Sequence, residues 1–140
     1  MNSQKGETLA PETREQVVEA LTWAVAEEAP LEIVGRGSKR ALGRPLQAAH
    51  SLDLSRLDGI TLYEPEELVL SARAGTPLAT IEAALEEKRQ MLAFEPADLG
   101  PLLGGAAGAA SIGGVLACNL SGPRRIKAGA ARDHFLGVQA

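Results

Sequence analysis

Residues 99–123 contain no charged side chain and seven glycines, and this stretch limits the possible folds more than any other part of the chain. It is long enough to cross a bilayer, which takes about 20 helical residues. However, its glycines, Pro101, Asn119 and a preponderance of alanine make insertion unfavourable. Glycine recurs too often for one long helix, so we expect its backbone to approach a flat or phosphorylated group closely. No membrane span is predicted.

Length and charge restrict the class of protein further. A chain of 140 residues can form one domain with a genuine core. Hydrophobic residues make up 45% of the chain but aromatic residues only 3%, so the core must be mainly aliphatic. A net charge of -4 and a pI near 5.2 argue against nucleic acid as the main partner. Any phosphate group must therefore be held by local groups.

The single cysteine, Cys118, has no partner for an intramolecular disulfide and no neighbouring ligands for a metal. We expect it to be a small buried apolar residue in a protein of a reducing compartment, which favours a cytoplasmic location. Residues 1–10 lack the basic segment and apolar core of a secretion signal. Neither a metal site nor export is predicted.

Hydrophobic periodicity predicts short helices and strands. Residues 1–29 are expected to form a polar tail and then an amphipathic helix over residues 11–29, with an apolar stripe at Val17, Val18, Leu21, Ala24 and Val25. We predict strands at residues 31–34, 60–63, 68–73, 91–94 and 135–138. A further helix should follow Thr76 as its cap, with Pro77 at its first position. The sequence therefore predicts an α+β fold of short elements with glycine-rich loops.

The first candidate site is the loop at residues 35–43, which holds three glycines and three cations. Glycines let successive backbone N–H groups face one anion, so such a loop can bind phosphate in an acidic protein. Lys39, Arg40 or Arg44 can add positive charge. The spacing fits neither GxxxxGK[ST] nor GxGxxG, because position 40 is Arg40. A plain solvated turn is the alternative.

Two more segments have the residue types of a binding site. In residues 111–122, paired glycines allow the backbone to lie against a planar ring, and Asn119 and Ser121 offer hydrogen bonds to orient it. The alternative is a packing segment rich in glycine and alanine. In residues 129–133 a carboxylate follows a glycine turn, which by itself is an ordinary turn with an ion pair.

In this order, the segments resemble one family. The chain resembles the FAD-binding domain of the p-cresol methylhydroxylase and vanillyl-alcohol oxidase type. The resemblance rests on a strand followed by GRGS, then ARAGTP at residues 72–77, IGG at 112–114, and RD at 132–133 before FLG. The resemblance covers residues 30–140. Within that family, YEPEEL at 63–68, TIEAALE at 80–86 and SGPRR at 121–125 resemble the FAD-binding E subunit of bacterial glycolate oxidases.

The resemblance implies that residues 30–140 are the N-terminal part of such a domain, without its C-terminal part and substrate-capping domain. It also implies a split FAD site. The residues that it assigns to FAD are Gly35, Arg36, Gly37, Ser38 and Lys39 at the pyrophosphate, Ile112, Gly113, Gly114, Ala117 and Asn119 at the diphosphate and flavin, Gly75 and Thr76 in the adjoining wall, and Gly122, Arg125, Gly129 and Asp133 beyond them.

Two histidines bear on how FAD is held. Some relatives attach the flavin covalently through a histidine in the first glycine loop, and residues 35–43 contain none. Bound FAD is therefore expected to be noncovalent. His50 lies after that loop, and His134 is expected to be a partly buried structural residue rather than a catalytic base. No catalytic residue is predicted.

The function implied by the resemblance is that of an FAD-dependent oxidoreductase subunit in a glycolate (2-hydroxy acid) oxidase complex. Its partners would be a flavoprotein D subunit and an iron–sulfur F subunit. The location would be cytoplasmic, with peripheral attachment to the inner membrane through the complex as an option. One alternative is a noncatalytic assembly or FAD-holding module that supports a catalytic partner. The other is an inactive truncated fragment.

Overall fold

A computed structural model describes residues 6–139 and shows the mixture of helices and strands that the sequence predicts. Residues 1–5 of the expected polar tail lie outside this range. The helices and strands in chain order are β1 (Thr8–Leu9), α1 (Arg14–Ala26), β2 (Leu31–Val34), β3 (His50–Asp53), β4 (Ile60–Glu64), β5 (Val69–Ala72), α2 (Leu78–Glu87), α3 (Ile112–Cys118) and α4 (Arg125–Ala128). No helix within residues 6–139 is long and apolar enough to span a membrane.

The first three strands form a parallel sheet in the order β1-β3-β2. Leu31 of β2 lies opposite His50 of β3, and Val34 lies opposite Asp53, while Thr8 of β1 pairs with Ser51. Parallel strands need a crossover connection, and α1 supplies it between β1 and β2. The chain therefore leaves the carboxyl end of β2 directly into residues 35–43, the edge at which open sheets containing parallel strands commonly bind ligands.

Helix α1 is shorter than the predicted residues 11–29. It begins after Thr13, whose side chain caps it by accepting a hydrogen bond from the Gln16 N–H at 3.3 Å. The predicted apolar stripe is wrong as a buried face, since only Ala24 is buried in α1. Val25 remains 79% exposed. Trp23 packs edge-on against the His50 ring, with ring centroids 5.1 Å apart.

Strands β4 and β5, both predicted as strands, pair as an antiparallel hairpin. Gln90, just after α2, fixes this hairpin to the rest of the molecule. Its side-chain carbonyl accepts a hydrogen bond from the Tyr63 hydroxyl at 2.7 Å, and its amide donates to the Pro65 carbonyl, also at 2.7 Å. One side chain thereby attaches strand β4 and the turn after it to the segment that follows α2.

Thr76 is not the cap of α2, which corrects the prediction. Pro77 occupies the cap position and makes no side-chain hydrogen bond. The Thr76 side chain is instead fully buried, accepts a hydrogen bond from the Gly59 N–H at 3.0 Å and lies 2.7 Å from the Arg73 carbonyl. A buried hydroxyl needs such partners, so Thr76 joins the entrance of the hairpin to its exit.

The core is mainly aliphatic, as predicted, and its central cluster consists of Leu78, Phe94, Ala110, Val115 and Ala131. The predicted strand at residues 91–94 is absent, because Phe94 turns into this core. A single bridge between Pro96 and Ser121 follows it. The predicted strand at residues 135–138 is also absent, and its apolar side chains are exposed.

Candidate phosphate-binding site

Three segments singled out in the sequence meet at one place. A Cβ on Gly35 would lie 2.5 Å from Ser111 Oγ, so the start of the first loop lies directly against the cap of α3. The Ile112 N–H donates to the Thr76 carbonyl at 3.0 Å, and the Gly113 N–H donates to the Ala74 carbonyl at 2.9 Å. Residues 35–39, 74–76 and 111–114 are therefore one structural unit.

Residues 35–39 present backbone donors without acceptors. No backbone carbonyl in residues 6–139 accepts a hydrogen bond from the N–H groups of these five residues. Gly37 has a φ of +70°, which lets neighbouring N–H groups turn to one side. Successive N–H groups arranged in this way form an anion-binding concavity. The loop can therefore bind a phosphate through its main chain.

The cations of this loop have different roles. Arg36 donates from Nε to the Gly75 carbonyl at 3.3 Å and lies 3.7 Å from the Asp58 carboxylate. Arg40 is paired with Glu32, so both guanidinium groups are used to fix the loop. Lys39 forms no ion pair with any residue that the structure describes. Lys39 is thus the loop cation that a phosphate could recruit without breaking an ion pair.

The second glycine segment is helical, which the sequence analysis did not predict. Residues 112–118 form helix α3, capped by Ser111, whose hydroxyl accepts from the Gly114 N–H at 3.4 Å. The first N–H groups of α3 are used by Ser111, Thr76 and Ala74. Gly113 is required because a Cβ there would lie 2.8 Å from the Ala74 carbonyl. Gly113 therefore serves a close approach of backbone to backbone.

The carboxyl end of α3 is fixed by Asn119, which adopts a left-handed conformation with a φ of +47°. Its side-chain carbonyl accepts a hydrogen bond from the Arg132 N–H at 3.2 Å. Ala117 and Cys118 lie on the exposed side of the helix. The expectation of a buried Cys118 is thus wrong, because the helical turn at Val115 places the core face elsewhere.

The last predicted site residues are joined to one another and to Glu95 rather than to residues 35–39. Gly122 packs against the Glu95 carboxylate, which accepts a hydrogen bond from the Arg124 N–H at 3.0 Å. The Asp133 carboxylate accepts from the Ala130 N–H at 2.7 Å, and a Cβ on Gly129 would lie 3.0 Å from it. Arg125 is exposed on α4.

His134 differs from its prediction as a partly buried residue, since it is exposed. Its ring stacks on Phe94 with ring centroids 5.9 Å apart and an interplanar angle of 28°. Its Nε2 lies 2.7 Å from the Ala128 carbonyl. The stacking uses one face of the ring and leaves the other to solvent, which explains both the structural role and the exposure.

Asp98 is a residue of this region that the sequence analysis missed. Its two carboxylate oxygens accept hydrogen bonds from the Gly100 N–H at 3.0 Å and from the Gly108 N–H at 2.9 Å. The bonds from Gly108 and Gly100 hold the pKa of Asp98 below its usual value, and the positive charge of Lys39 adds to the effect. An aspartate directly before a glycine-rich run is the sequence signal for such a turn.

Comparison with known proteins gives the family and the fold. The model of a family described as an FAD binding domain matches residues 7–140. Over 123 residues the chain is 45% identical to glycolate oxidase subunit GlcE of Escherichia coli. This match covers 88% of the present chain and 33% of GlcE. It is 26% identical over 133 residues to an uncharacterized FAD-linked oxidoreductase of Mycobacterium tuberculosis. That match covers 93% of this chain and 27% of the oxidoreductase. The chain thus spans a third or less of these relatives.

Solved structures with this fold include alkyldihydroxyacetonephosphate synthase, with a TM-score of 0.70 at 20% sequence identity. That match covers 90% of this chain and 23% of the synthase. Cholesterol oxidase from Brevibacterium sterolicum matches with a TM-score of 0.59 at 26% identity, covering 82% of this chain and 21% of the oxidase. These likenesses confirm the expected α+β fold of an FAD-binding domain.

Proposed function

Because this chain belongs to the FAD binding domain family, we propose that it holds FAD noncovalently as part of the FAD-binding subunit of a glycolate (2-hydroxy acid) oxidase. The similarity to GlcE supports the subunit type. Residues 30–140 would supply the first part of the FAD-binding domain. The pairing of β1 with β3 favours a domain that also includes residues 8–29.

The proposal is carried by the backbone N–H groups of residues 35–39, which donate to no backbone carbonyl within residues 6–139. The side chain of Lys39 adds a positive charge to this segment. The diphosphate of FAD is an anion, and hydrogen bonds to a charged acceptor are stronger than those between neutral groups. Bound FAD would supply the hydride or electron chemistry, and the protein would supply binding and orientation. Gly35, Arg36, Gly37, Ser38 and Lys39 would hold the diphosphate.

The other assigned residues would act around this loop. The backbone contacts between the three segments would hold the loop in position. The residues that contribute to this support are Gly75, Thr76, Ile112, Gly113 and Gly114. Ala117 and Asn119 would lie along the flavin, and Gly122, Arg125, Gly129 and Asp133 would shape the stretch beyond it. A flavoprotein D subunit and an iron–sulfur F subunit would be the partners in electron transfer.

The visible absorbance spectrum of the purified chain tests the proposal. After incubation with FAD and gel filtration, we expect bands near ~370 and ~450 nm from oxidised flavin, and full release of free FAD on acid treatment if the attachment is noncovalent. A chain that retains no flavin would contradict the proposal. Flavin that stays with the chain after acid treatment would contradict noncovalent binding.

A second measurement separates electron transfer from simple holding of FAD. Glycolate is added anaerobically to the FAD-loaded chain, with and without a glycolate oxidase D subunit, and the band near ~450 nm is followed. Bleaching that requires the D subunit supports a role in electron transfer within a complex. Absence of bleaching under both conditions favours the alternative of a module that only holds FAD.

A further inference from the structure

Asp98 closes a loop that contains no other charged residue. Its carboxylate binds the N–H of Gly100 with one oxygen and the N–H of Gly108 with the other, at 3.0 and 2.9 Å. A neutral side chain of the same shape could not accept both bonds with two equivalent oxygens. The two ends of residues 98–108, here called the Asp98 loop, are therefore joined through one carboxylate.

The Asp98 loop is compact inside this closure. The Gly105 N–H donates to the Gly100 carbonyl at 2.8 Å, and the carbonyl of Ala106 fills the space where Gly100 would carry a Cβ. Leu102 is 79% exposed at the tip. A loop of this size with its ends held together forms a small unit of its own. Its position is set by its two ends rather than by burial of its side chains.

The segment that follows the Asp98 loop belongs to the proposed phosphate site. Beyond Gly108 the chain enters Ser111, whose hydroxyl lies against Gly35. The positive charge of Lys39 lowers the pKa of Asp98 slightly further, although the two side chains form no ion pair. The loop therefore connects directly to the helix cap against which residues 35–39 begin.

We propose that Asp98 is a positioning residue for the cofactor diphosphate: its carboxylate holds the Asp98 loop closed just before Ser111, the helix cap that lies against Gly35. The proposal rests on the proposed binding of FAD. A loop that is already ordered loses less conformational entropy when the ligand binds, so closure by Asp98 strengthens retention of FAD. The two backbone bonds to Gly100 and Gly108 produce this effect.

The test is the rate at which FAD dissociates from the chain carrying Asp98→Asn. An amide has one acceptor oxygen and no charge, so at least one bond to Gly100 or Gly108 is lost and the other is weakened. We expect dissociation to become about tenfold faster, the effect of losing a single charge-assisted hydrogen bond. The matched control is Glu67→Gln, which removes a charge from an exposed side chain in the hairpin turn and should leave the rate unchanged.

The pH profile separates positioning from a general loss of stability. Hydrogen bonds to the ionised form lower the pKa of Asp98, so closure is complete at neutral pH and is lost as the pH falls through that lowered pKa. FAD dissociation from the unaltered chain should accelerate across that step. In the Asp98→Asn variant the step should be missing, whereas a merely destabilised protein would retain it.

Amide hydrogen exchange provides a measurement that does not need FAD. The N–H groups of Gly100 and Gly108 should exchange faster in Asp98→Asn than in the unaltered chain, while those of α2 should not change. Equal dissociation rates or equal pH profiles in the two proteins overturn the proposal for Asp98 alone. Failure of the unaltered chain to bind any FAD overturns the proposed function and this proposal with it.

Discussion

At the residue scale, Gly113 and Gly114 have different neighbours although they are adjacent in one helix. A Cβ on Gly113 would meet backbone and side-chain atoms of Ala74 at 2.8 and 2.9 Å. A Cβ on Gly114 would meet only the Ser111 hydroxyl, at 3.3 Å. The paired glycines look equivalent in the sequence, but only Gly113 is required by packing against another segment.

Substitution of these glycines by alanine tests this difference. Gly113→Ala should lower the free energy of unfolding by about 1–3 kcal/mol, because the backbone at Ala74 must move to relieve overpacking. Gly114→Ala should be close to neutral, because alanine favours the helix by about 1 kcal/mol and the hydroxyl can adjust. Urea unfolding followed by circular dichroism gives both values. Equal losses for the two variants would contradict the packing at Ala74.

The same scale shows what the sequence could and could not predict about the site. The glycine positions were identifiable because close backbone approach needs them, but the sequence does not say what approaches. At Gly113 the neighbour is the chain itself. Asp98 was missed because its role depends on Gly108, ten residues away in a run without periodicity. The grouping of Gly35 with Ser111 is likewise a product of tertiary packing.

At the scale of elements, hydrophobic periodicity predicted three of the strands. The prediction failed where apolar residues are buried by segments that are neither helix nor strand. The strands at Leu31–Val34, Ile60–Glu64 and Val69–Ala72 were all predicted. Strand β1, with two residues, and β3, with the polar sequence HSLD, are too short and too polar for a pattern to show. At residues 91–94 the apolar run reflects insertion of Phe94 into the core, which needs no strand.

The attachment of the β4–β5 hairpin depends on Gln90. Replacing Gln90 by alanine leaves the Tyr63 hydroxyl and the Pro65 carbonyl without their partner, which should cost about 1–2 kcal/mol. We expect the amides of β4 and β5 to exchange faster with solvent while those of α3 are unaffected. Gln47→Ala, a change at an exposed residue, is the control. Unchanged hairpin exchange in Gln90→Ala would show that strand pairing alone holds the hairpin in place.

At the scale of the whole molecule, the chain exposes more surface than a compact monomer. Its accessible area is 9886 Å², whereas a compact protein of 14.6 kDa would expose about 6900 Å². Within residues 6–139, fifteen large hydrophobic side chains are exposed, and only six of the buried hydrophobic residues are larger than alanine. The folded state of this chain therefore has little stability in reserve.

Binding of FAD should supply the missing stability. A ligand that binds only the folded state adds about 2.7 kcal/mol at a concentration of 100 times its Kd, so FAD should raise the Tm of the chain. FMN shares the flavin ring but has no diphosphate, and it should raise the Tm much less. Differential scanning calorimetry measures both. An equal shift with FMN would place the binding energy on the flavin instead of on residues 35–39.

The hydrogen bond from the Arg132 N–H to the Asn119 side chain joins the two ends of residues 119–132, which thereby form a closed ring. Within that ring, Glu95 holds the segment near Gly122, while Ile126 on α4 is 96% exposed. A group attached to the side chain at position 126 would extend into solvent without moving either end of this segment. This tip is therefore a suitable place to attach a dye, which would allow the chain to be tracked with residues 35–39 undisturbed.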